Sequence, residues 1–202
     1  MKLITADASP FGRKCRAVVV ELALTDKVEV VDSGAVTPAS LNAEVNQRNP
    51  LGMIPVLELA DGDTLMDSPV IAEYLNATAS GALFPADNQS RFKSLKLQAL
   101  ADGIMDISVA IRYETALRPE SLRWPEWINH QGQAVERGLQ TLEQLCPEFA
   151  AIPTIGELAV ACALGYRDFR FADHDWRTAH PALATWFETM SARDSMRQTI
   201  PA

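Results

Sequence analysis

The N-terminal part of the chain alternates short apolar runs with amphipathic stretches. The pattern predicts strands at 2–6, 28–31, 54–60 and 64–66, and helices at 11–24, around 39–46 and at 68–77. A strand–helix–strand start favours parallel pairing, and the turn at 61–63 (DGD) favours an antiparallel hairpin at the end. The element order β-α-β-α-β-β-α therefore predicts an α/β domain over residues 1–78, with helices covering a mixed sheet.

The pattern of apolar and polar residues changes after residue 78. Residues 79–88 have no sustained period and predict a linker. Beyond them apolar residues recur at steps of three and four, as at Leu97, Leu100, Ile104, Ile107 and Ile111. We expect helices at 90–117, at 125–145, from 154 onward and at 181–192, and hence an all-helical C-terminal domain over residues 89–202.

Composition and charge narrow the class of protein. The chain has 202 residues, of which 48% are hydrophobic, and a formal net charge of −8, which argues against nucleic acid as a partner. It contains no Cys-x-x-Cys and no histidine pair at metal-ligand spacing, so neither a disulfide framework nor a metal site is predicted. No apolar run approaches the length of a membrane helix, and the first apolar stretch is too short for a secretory signal. We therefore expect a cytoplasmic protein with no membrane partner.

The first helix begins with Ser9 and Pro10, a favoured cap and first helical residue. Ser9 by itself is commonly only a cap. The basic residues that follow, Arg13, Lys14 and Arg16, add positive charge to the positive end of the helix, which suits an anionic ligand, or they form a solvated basic face. A serine hydroxyl at such a position can also donate to a bound thiol and lower the thiol pKa, without acting as the nucleophile.

Two later segments carry further candidate chemistry. Pro55 at the start of the third strand is consistent with an ordinary edge strand, or with a cis bond that exposes the amide and carbonyl of Ile54 to an extended peptide. Asp67 and Ser68 precede Pro69 at another predicted helix start, with the serine as cap. Such a start can bind a carboxylate, and an adjacent aspartate can pair with an ammonium group. Asp67 can equally be a simple first-turn charge.

Taken together, these segments resemble the glutathione transferase superfamily over essentially the whole chain. The resemblance lies in residues 9–16 (SPFGRKCR), 49–57 (NPLGMIPVL), 67–75 (DSPVIAEYL) and 153–159 (PTIGELA). The first looks like the start of helix one in bacterial serine-type members, the second like the cis-proline strand, and the third like the segment that holds the γ-glutamyl group. The fourth resembles a structural capping box, in which Thr154 and Glu157 satisfy each other's backbone amides.

The resemblance implies a thioredoxin-like N-terminal domain that binds glutathione as co-substrate. Ser9 would contact the glutathione sulfur, Ile54 would pair beside cis Pro55, and Asp67 with Ser68 would hold the γ-glutamyl group. Two positions depart from the pattern: Met53 stands where many relatives have lysine, and Asp67 where many have glutamate. These departures imply weaker contact with the glycyl carboxylate and a shorter reach to the γ-glutamyl end.

The long helix is expected to help form an acceptor pocket. By the same resemblance, the side of this helix opposite its apolar face turns toward the N-terminal domain. The alternative is that this side is a solvated face. The candidate acceptor residues are Phe11, Asp102, Asp106 and Tyr113. Arg112, Arg118 and Arg123 either serve acidic substrates or pair with nearby glutamates. Cys15 falls on the apolar face of the first helix and is predicted to be core.

The predicted function is a glutathione transferase-like enzyme that attacks a small electrophile with the glutathione thiolate, and a homodimer is expected from the family. The alternatives are a non-catalytic glutathione-fold binding or regulatory module, and a glutathione-dependent thiol oxidoreductase. The absence of Cys-x-x-Cys disfavours the last. The electrophile itself is not predicted by the sequence.

Overall fold

The structure is a computed structural model that describes residues 1–40 and 42–201. Leu41 falls in a predicted helix and Ala202 in the predicted helical domain, and both lie outside the described residues. The strands are β1 Lys2–Thr5, β2 Glu29–Asp32, β3 Val56–Glu58 and β4 Thr64–Leu65. The helices are α1 Pro10–Glu21, α2 Ala43–Arg48, α3 Ser68–Thr78, α4 Asn88–Ala116, α5 Pro125–Leu145, α6 Ile155–Arg170, α7 Pro181–Ser191 and α8 Asp194–Arg197, with 3₁₀ turns at Glu120–Leu122 and Cys146–Glu148.

The strands form one mixed sheet in the order β2-β1-β3-β4. β1 pairs with β2 in parallel and with β3 in antiparallel, and β3 and β4 form the antiparallel hairpin. Alternate residues face opposite sides: Leu3 and Leu57 pack into the main core with α1 and α3, while Ile4 and Val56 pack against Val45 of α2. The predicted fold class, an α/β domain followed by a helical domain, is confirmed.

The main core runs continuously from the sheet into the C-terminal helices. α6 packs against both α4 and α1, and all but its last three residues are buried. Thr154 and Glu157 form the predicted capping box at the start of α6. Cys15 is fully buried, as predicted. Within the described ranges no helix is both long and apolar enough to span a bilayer.

Several element boundaries differ from those predicted. α1 ends at Glu21 instead of residue 24, because Ala23 adopts a left-handed conformation (φ +52°) that the sequence does not mark with glycine. α2 begins at Ala43 instead of residue 39, because the side chain of Asn42 accepts a hydrogen bond from the amide of Val45 at 3.0 Å and caps the helix. The short α8 was not predicted, since four residues carry no periodic signal.

α8 is held against α1 by a half-buried acidic group. The Glu21 carboxylate accepts two hydrogen bonds from Arg193, at 2.8 Å each, and one from the Ser195 hydroxyl at 2.5 Å. Hydrogen bonds from Arg193 hold the pKa of Glu21 below its usual value, although burial opposes them. The carboxylate is therefore expected to stabilise the fold in its charged form.

We expect Glu21→Gln to lower the free energy of unfolding by about 1–2 kcal/mol at pH 7, because charge-assisted hydrogen bonds to Arg193 become neutral ones. Since the folded-state pKa is depressed, this contribution is present above the unfolded value of about 4.3 and is lost as the pH falls through the folded value. Urea unfolding at pH 7 and pH 3.5 should show the difference shrinking at the lower pH. Glu29→Gln, at an exposed position on β2, is the control and should show no difference at either pH.

Candidate active site

Ser9 caps α1 in the predicted way. Its Oγ accepts a hydrogen bond from the amide of Gly12 at 3.1 Å, and the Ser9 amide donates to the carbonyl of Ala6 at 3.0 Å. The cap bond uses an oxygen lone pair, so the hydroxyl proton is left for another acceptor. The Ser9 side chain is half-buried. Its hydroxyl can therefore serve as cap and as donor to a ligand at the same time.

Gly12 allows the start of α1 to approach the end of β1. A Cβ at this position would lie 1.7 Å from Oγ1 of Thr5, and Thr5 is itself only 2% exposed. Any side chain here would push the helix away from the strand. The glycine therefore fixes Ser9 next to the end of β1.

The basic residues after Ser9 do not form the free positive surface that the sequence suggested. Arg13 is buried and donates to the carbonyl of Met196 at 3.2 Å, and Arg16 pairs with Asp7 at 2.6 Å. Lys14 is fully buried and pairs with an aspartate of α4. All three cations therefore make contacts within the protein. Both earlier interpretations, a charge presented to a ligand and a solvated basic face, are wrong for them.

The loop before β3 is fixed by a buried asparagine. The Asn49 side chain donates to the carbonyl of Met53 at 2.8 Å and accepts from the amide of Leu51 at 3.0 Å. The Ile54–Pro55 peptide bond is cis, as the resemblance implies. Within 1–40 and 42–201, the amide and carbonyl of Ile54 have no hydrogen-bond partner. These two groups are therefore available to an extended peptide, while Met53 is exposed and offers no positive charge.

The start of α3 differs from the prediction. The cap is Asp67, not Ser68, because the backbone of Asp67 is extended whereas Ser68 already belongs to the helix. The Asp67 side chain makes no cap bond and is exposed. Ser68 is 1% exposed, and its carbonyl accepts a weak hydrogen bond from the thiol of Cys15 at 3.9 Å. Asp67 therefore presents a free carboxylate at a helix start, while Ser68 lies inside the fold.

The sheet register brings the predicted glutathione residues to one edge. Ile4 is opposite Val56 in the β1–β3 pair, so the end of β1 that leads to Ser9 runs beside Pro55. Leu57 is opposite Leu65 in the β3–β4 hairpin, so the end of β4 that leads to Asp67 also runs beside Pro55. The register therefore places the segments that lead to Ser9, Ile54 and Asp67 at the same end of the sheet.

Of the predicted acceptor residues, Phe11 and Asp102 lie at the interface between α1 and α4. Both carboxylate oxygens of Asp102 accept hydrogen bonds from Lys14 at 2.7 Å, and the Lys14 ammonium is 5.8 Å from the centre of the Phe11 ring. Burial raises the pKa of Asp102, and Lys14 opposes that change. Asp102 therefore joins the two domains through an ion pair.

Tyr113 also contacts the N-terminal domain, whereas Asp106 is exposed. Partial burial raises the pKa of Asp106, and the nearby charges of Asp102 and Asp67 act in the same direction. The Tyr113 hydroxyl donates to the carbonyl of Val36, after β2, at 3.2 Å. The stripe on α4 is therefore not simply a solvated face, since two of its members contact or influence the N-terminal domain.

The sequence did not single out the residues of α6 and the C-terminal segment beside Ser9. A small hollow next to the cap is lined by Asp7, Ala8, Ser9, Pro10, Arg13, Tyr166 and Pro201. Tyr166 is 6% exposed, and Arg170 follows it one helical turn later. The sequence feature that could have indicated these residues is the polar end of α6 (GYRDFR), since the rest of that helix is apolar. No group of metal-ligating side chains is found among the described residues.

Comparisons with known proteins agree with this fold. The model of the glutathione S-transferase N-terminal domain matches residues 8–78, and the model of the C-terminal domain matches residues 125–189. The GST-like protein YibF of Escherichia coli (strain K12) is 32% identical over 206 residues, covering 100% of this chain and 98% of that protein. The chain belongs to the glutathione S-transferase family.

Solved structures show the same relationship. A glutathione transferase family member from Pseudomonas fluorescens Pf-5, crystallised with bound glutathione, is 42% identical with a TM-score of 0.96, covering 100% of this chain and 98% of that one. A glutathione S-transferase from Methylobacillus flagellatus KT, also with glutathione bound, is 35% identical with a TM-score of 0.88, covering 100% of this chain and 99% of that one.

Proposed function

We propose that this protein is a glutathione transferase that binds glutathione at the sheet edge and activates its thiol through Ser9. The observation that carries the proposal is the register, which directs the ends of β1 and β4 past Pro55. The Ile54 backbone would pair with the peptide, and the Asp67 carboxylate would bind the γ-glutamyl ammonium. Bound glutathione in the Pseudomonas and Methylobacillus relatives supports this assignment.

The reaction needs no group beyond the thiol and the electrophile. A free thiol has a pKa of about 8.5 and is mostly protonated at neutral pH. Donation from the Ser9 hydroxyl to the sulfur would favour the thiolate, and the proton would leave to water. The thiolate would then form a C–S bond to the electrophile while the leaving group departs with the bonding electrons. Neither the loss of the thiol proton nor the substitution needs an external oxidant or reductant.

The structure gives no support to a thiol oxidoreductase that uses Cys15. The Cys15 side chain is fully buried, and burial raises its pKa to about 12. Such a thiol is protonated and inaccessible at neutral pH, whereas a redox cysteine needs an accessible thiolate. All three cysteines are free and buried, which fits our proposal that the protein works in the reducing cytoplasm.

The assignment is tested by calorimetric titration with glutathione. We expect binding by the native protein and about tenfold weaker binding by Asp67→Asn, because a charge-assisted contact to the ammonium is lost. Asp26→Asn, an exposed carboxylate in the turn before β2, is the matched control and should bind like the native protein.

Two outcomes of this titration bear on different claims. If glutathione gives no heat at any concentration up to millimolar, the glutathione site is wrong. If glutathione binds but no turnover is found with any of a panel of electrophiles that includes aryl halides, epoxides and unsaturated carbonyl compounds, the non-catalytic binding module is favoured over the enzyme.

We also propose a homodimer formed through α3 and α4. These helices expose apolar side chains that nothing in the described chain covers, Val70 and Tyr74 on α3 and Phe92 on α4. Light scattering at micromolar concentration should give about twice the chain mass of 22.1 kDa. A mass equal to that of one chain would reject the dimer.

A further inference from the structure

A buried asparagine lies at the start of the loop that leads to Ile54. Asn49 follows α2, where its amide donates to the carbonyl of Val45 at 2.8 Å, and it is only 2% exposed. Asparagine is seldom buried unless its side-chain amide is hydrogen-bonded. Here both ends of that amide are used: Nδ2 donates to the carbonyl of Met53 at 2.8 Å, and Oδ1 accepts from the amide of Leu51 at 3.0 Å. The Asn49 side chain therefore spans the loop.

Asn49 is fixed to the sheet through the residue before it. The Arg48 guanidinium pairs with Glu58 of β3 at 2.8 Å, and the Arg48 carbonyl accepts from the hydroxyl of Thr64 on β4 at 3.0 Å. The Asn49 carbonyl accepts from the amide of Gly52 at 2.8 Å, which closes the turn. Gly52 has a φ of +65°, a left-handed conformation that glycine adopts without a steric penalty. Two strands and a closed turn therefore hold Asn49 in one position.

The hydrogen bond from Asn49 to Met53 also determines the direction of the next amide. The Met53 carbonyl and the Ile54 N–H belong to one peptide group, which is planar and trans. In such a group the C=O and the N–H point in opposite directions. Because the Met53 carbonyl points at the buried Asn49 side chain, the Ile54 N–H points away from it. The Ile54 side chain packs against the small core cluster that contains Val45, so the residue is anchored on that side as well.

The Ile54 N–H is thus a donor whose direction is set and which a ligand can use. Ile54 is half-buried, and its N–H makes no hydrogen bond to any residue in 1–40 or 42–201. Two residues that face each other as a hydrogen-bonded antiparallel pair exchange both N–H···O bonds. A peptide paired with Ile54 would therefore accept from the Ile54 N–H and donate its own N–H to the Ile54 carbonyl. Asn49 bears on the first of these bonds, since the Ile54 carbonyl belongs to the following peptide group.

We infer that Asn49 is a positioning residue for glutathione, and that it acts by directing the Ile54 N–H toward the cysteinyl carbonyl of the ligand. This inference rests on the proposed function and adds a residue to the same site. Asn49 acts through the Met53–Ile54 peptide group, because its own side chain is buried behind the loop. Removing that side chain would leave the Met53 carbonyl without its donor, and the peptide group could then rotate. The Ile54 N–H would lose its fixed direction.

The test uses glutathione and two analogues, each of which lacks one of the two backbone bonds to Ile54. In the first, an (E)-alkene replaces the cysteinyl–glycine amide and removes the carbonyl that would accept from the Ile54 N–H. In the second, an ester replaces the γ-glutamyl–cysteine amide and removes the N–H that would donate to the Ile54 carbonyl. Calorimetry on the native protein should show about tenfold weaker binding of each analogue than of glutathione. In Asn49→Ala the alkene analogue should bind only about twofold more weakly than glutathione, while the ester analogue still binds about tenfold more weakly.

The matched control is Asn46→Ala, which makes the same change at an exposed position three residues earlier on α2. It should keep the full affinity difference for both analogues. Asn49→Leu removes the same two hydrogen bonds while keeping the size of the side chain. It should behave like Asn49→Ala, and it takes the place of that variant if the alanine protein does not fold.

The outcomes separate this inference from the function beneath it. If Asn49 only stabilises the loop, the affinity differences for the two analogues shrink together in Asn49→Ala or both stay unchanged, and either result would overturn the inference. A native protein that binds glutathione and the alkene analogue equally well would reject donation from the Ile54 N–H, whatever the variants show, and leave the glutathione site standing. If the native protein binds no glutathione, the proposed function fails and the inference fails with it.

Discussion

Replacing Ser9 with alanine is expected to lower the turnover number about a hundredfold while glutathione binding changes only a few-fold. The Ser9 Oγ accepts from the Gly12 amide, so its proton is free to donate to the sulfur. Losing a donor that lowers the thiol pKa by about two units would cost about 2.7 kcal/mol of preference for the thiolate. Binding would persist because the Ile54 backbone and Asp67 remain in place.

This expectation is measured by following the pH dependence of thiolate absorbance in the glutathione complex, together with steady-state turnover. In Ser9→Ala the pKa of the bound thiol should rise toward about 8.5. Ser9→Thr is the matched control, because it keeps both the hydroxyl and the cap, and it should recover most of the activity. The alanine variant also loses a cap bond worth about 1 kcal/mol, so its folding is checked by urea unfolding. Unchanged turnover in Ser9→Ala would remove Ser9 as the activating group.

Local features of this fold were predictable from the sequence because each depends on residues close together in the chain. The serine cap at Ser9 and the capping box at Thr154 are patterns of three or four residues, and both are present. The parallel start and the final hairpin follow from the order of strands and helices and from the turn at Gly62. These elements place the segments of the candidate glutathione residues at one end of the sheet, while the roles of those residues were implied by the family resemblance and stay a prediction.

The remaining features depend on contacts between distant parts of the chain. Lys14 and Asp102 are 88 positions apart, and no local pattern shows that the lysine is buried against α4. Tyr166 borders Ser9 only because α6 packs against α1. The cap at Asp67 was missed for a different reason: serine before proline is the commoner start, and only the backbone angles show that Ser68 is already helical.

Replacing Asp102 with alanine is expected to lower the free energy of unfolding by about 3–5 kcal/mol, because it leaves the buried ammonium of Lys14 without a counter-charge. The Lys14 side chain is 0% exposed and that of Asp102 is 16% exposed, so little water is at hand to replace the carboxylate. The pair joins α1 to α4, and the loss should therefore also disturb the position of Ser9 at the start of α1. Urea unfolding and turnover are both measured on this variant.

The matched control is Asp106→Ala, one turn further along α4. Asp106 makes no ion pair in 1–40 and 42–201 and experiences the like charges of Asp102 and Asp67, so its removal should change the free energy of unfolding by no more than about 0.5 kcal/mol. The double replacement Lys14→Met with Asp102→Leu should recover most of the loss, since well-packed apolar residues can substitute for a buried ion pair. If Asp102→Ala and the double variant were equally unstable, packing at the α1–α4 interface, rather than an unpaired charge, would account for the effect.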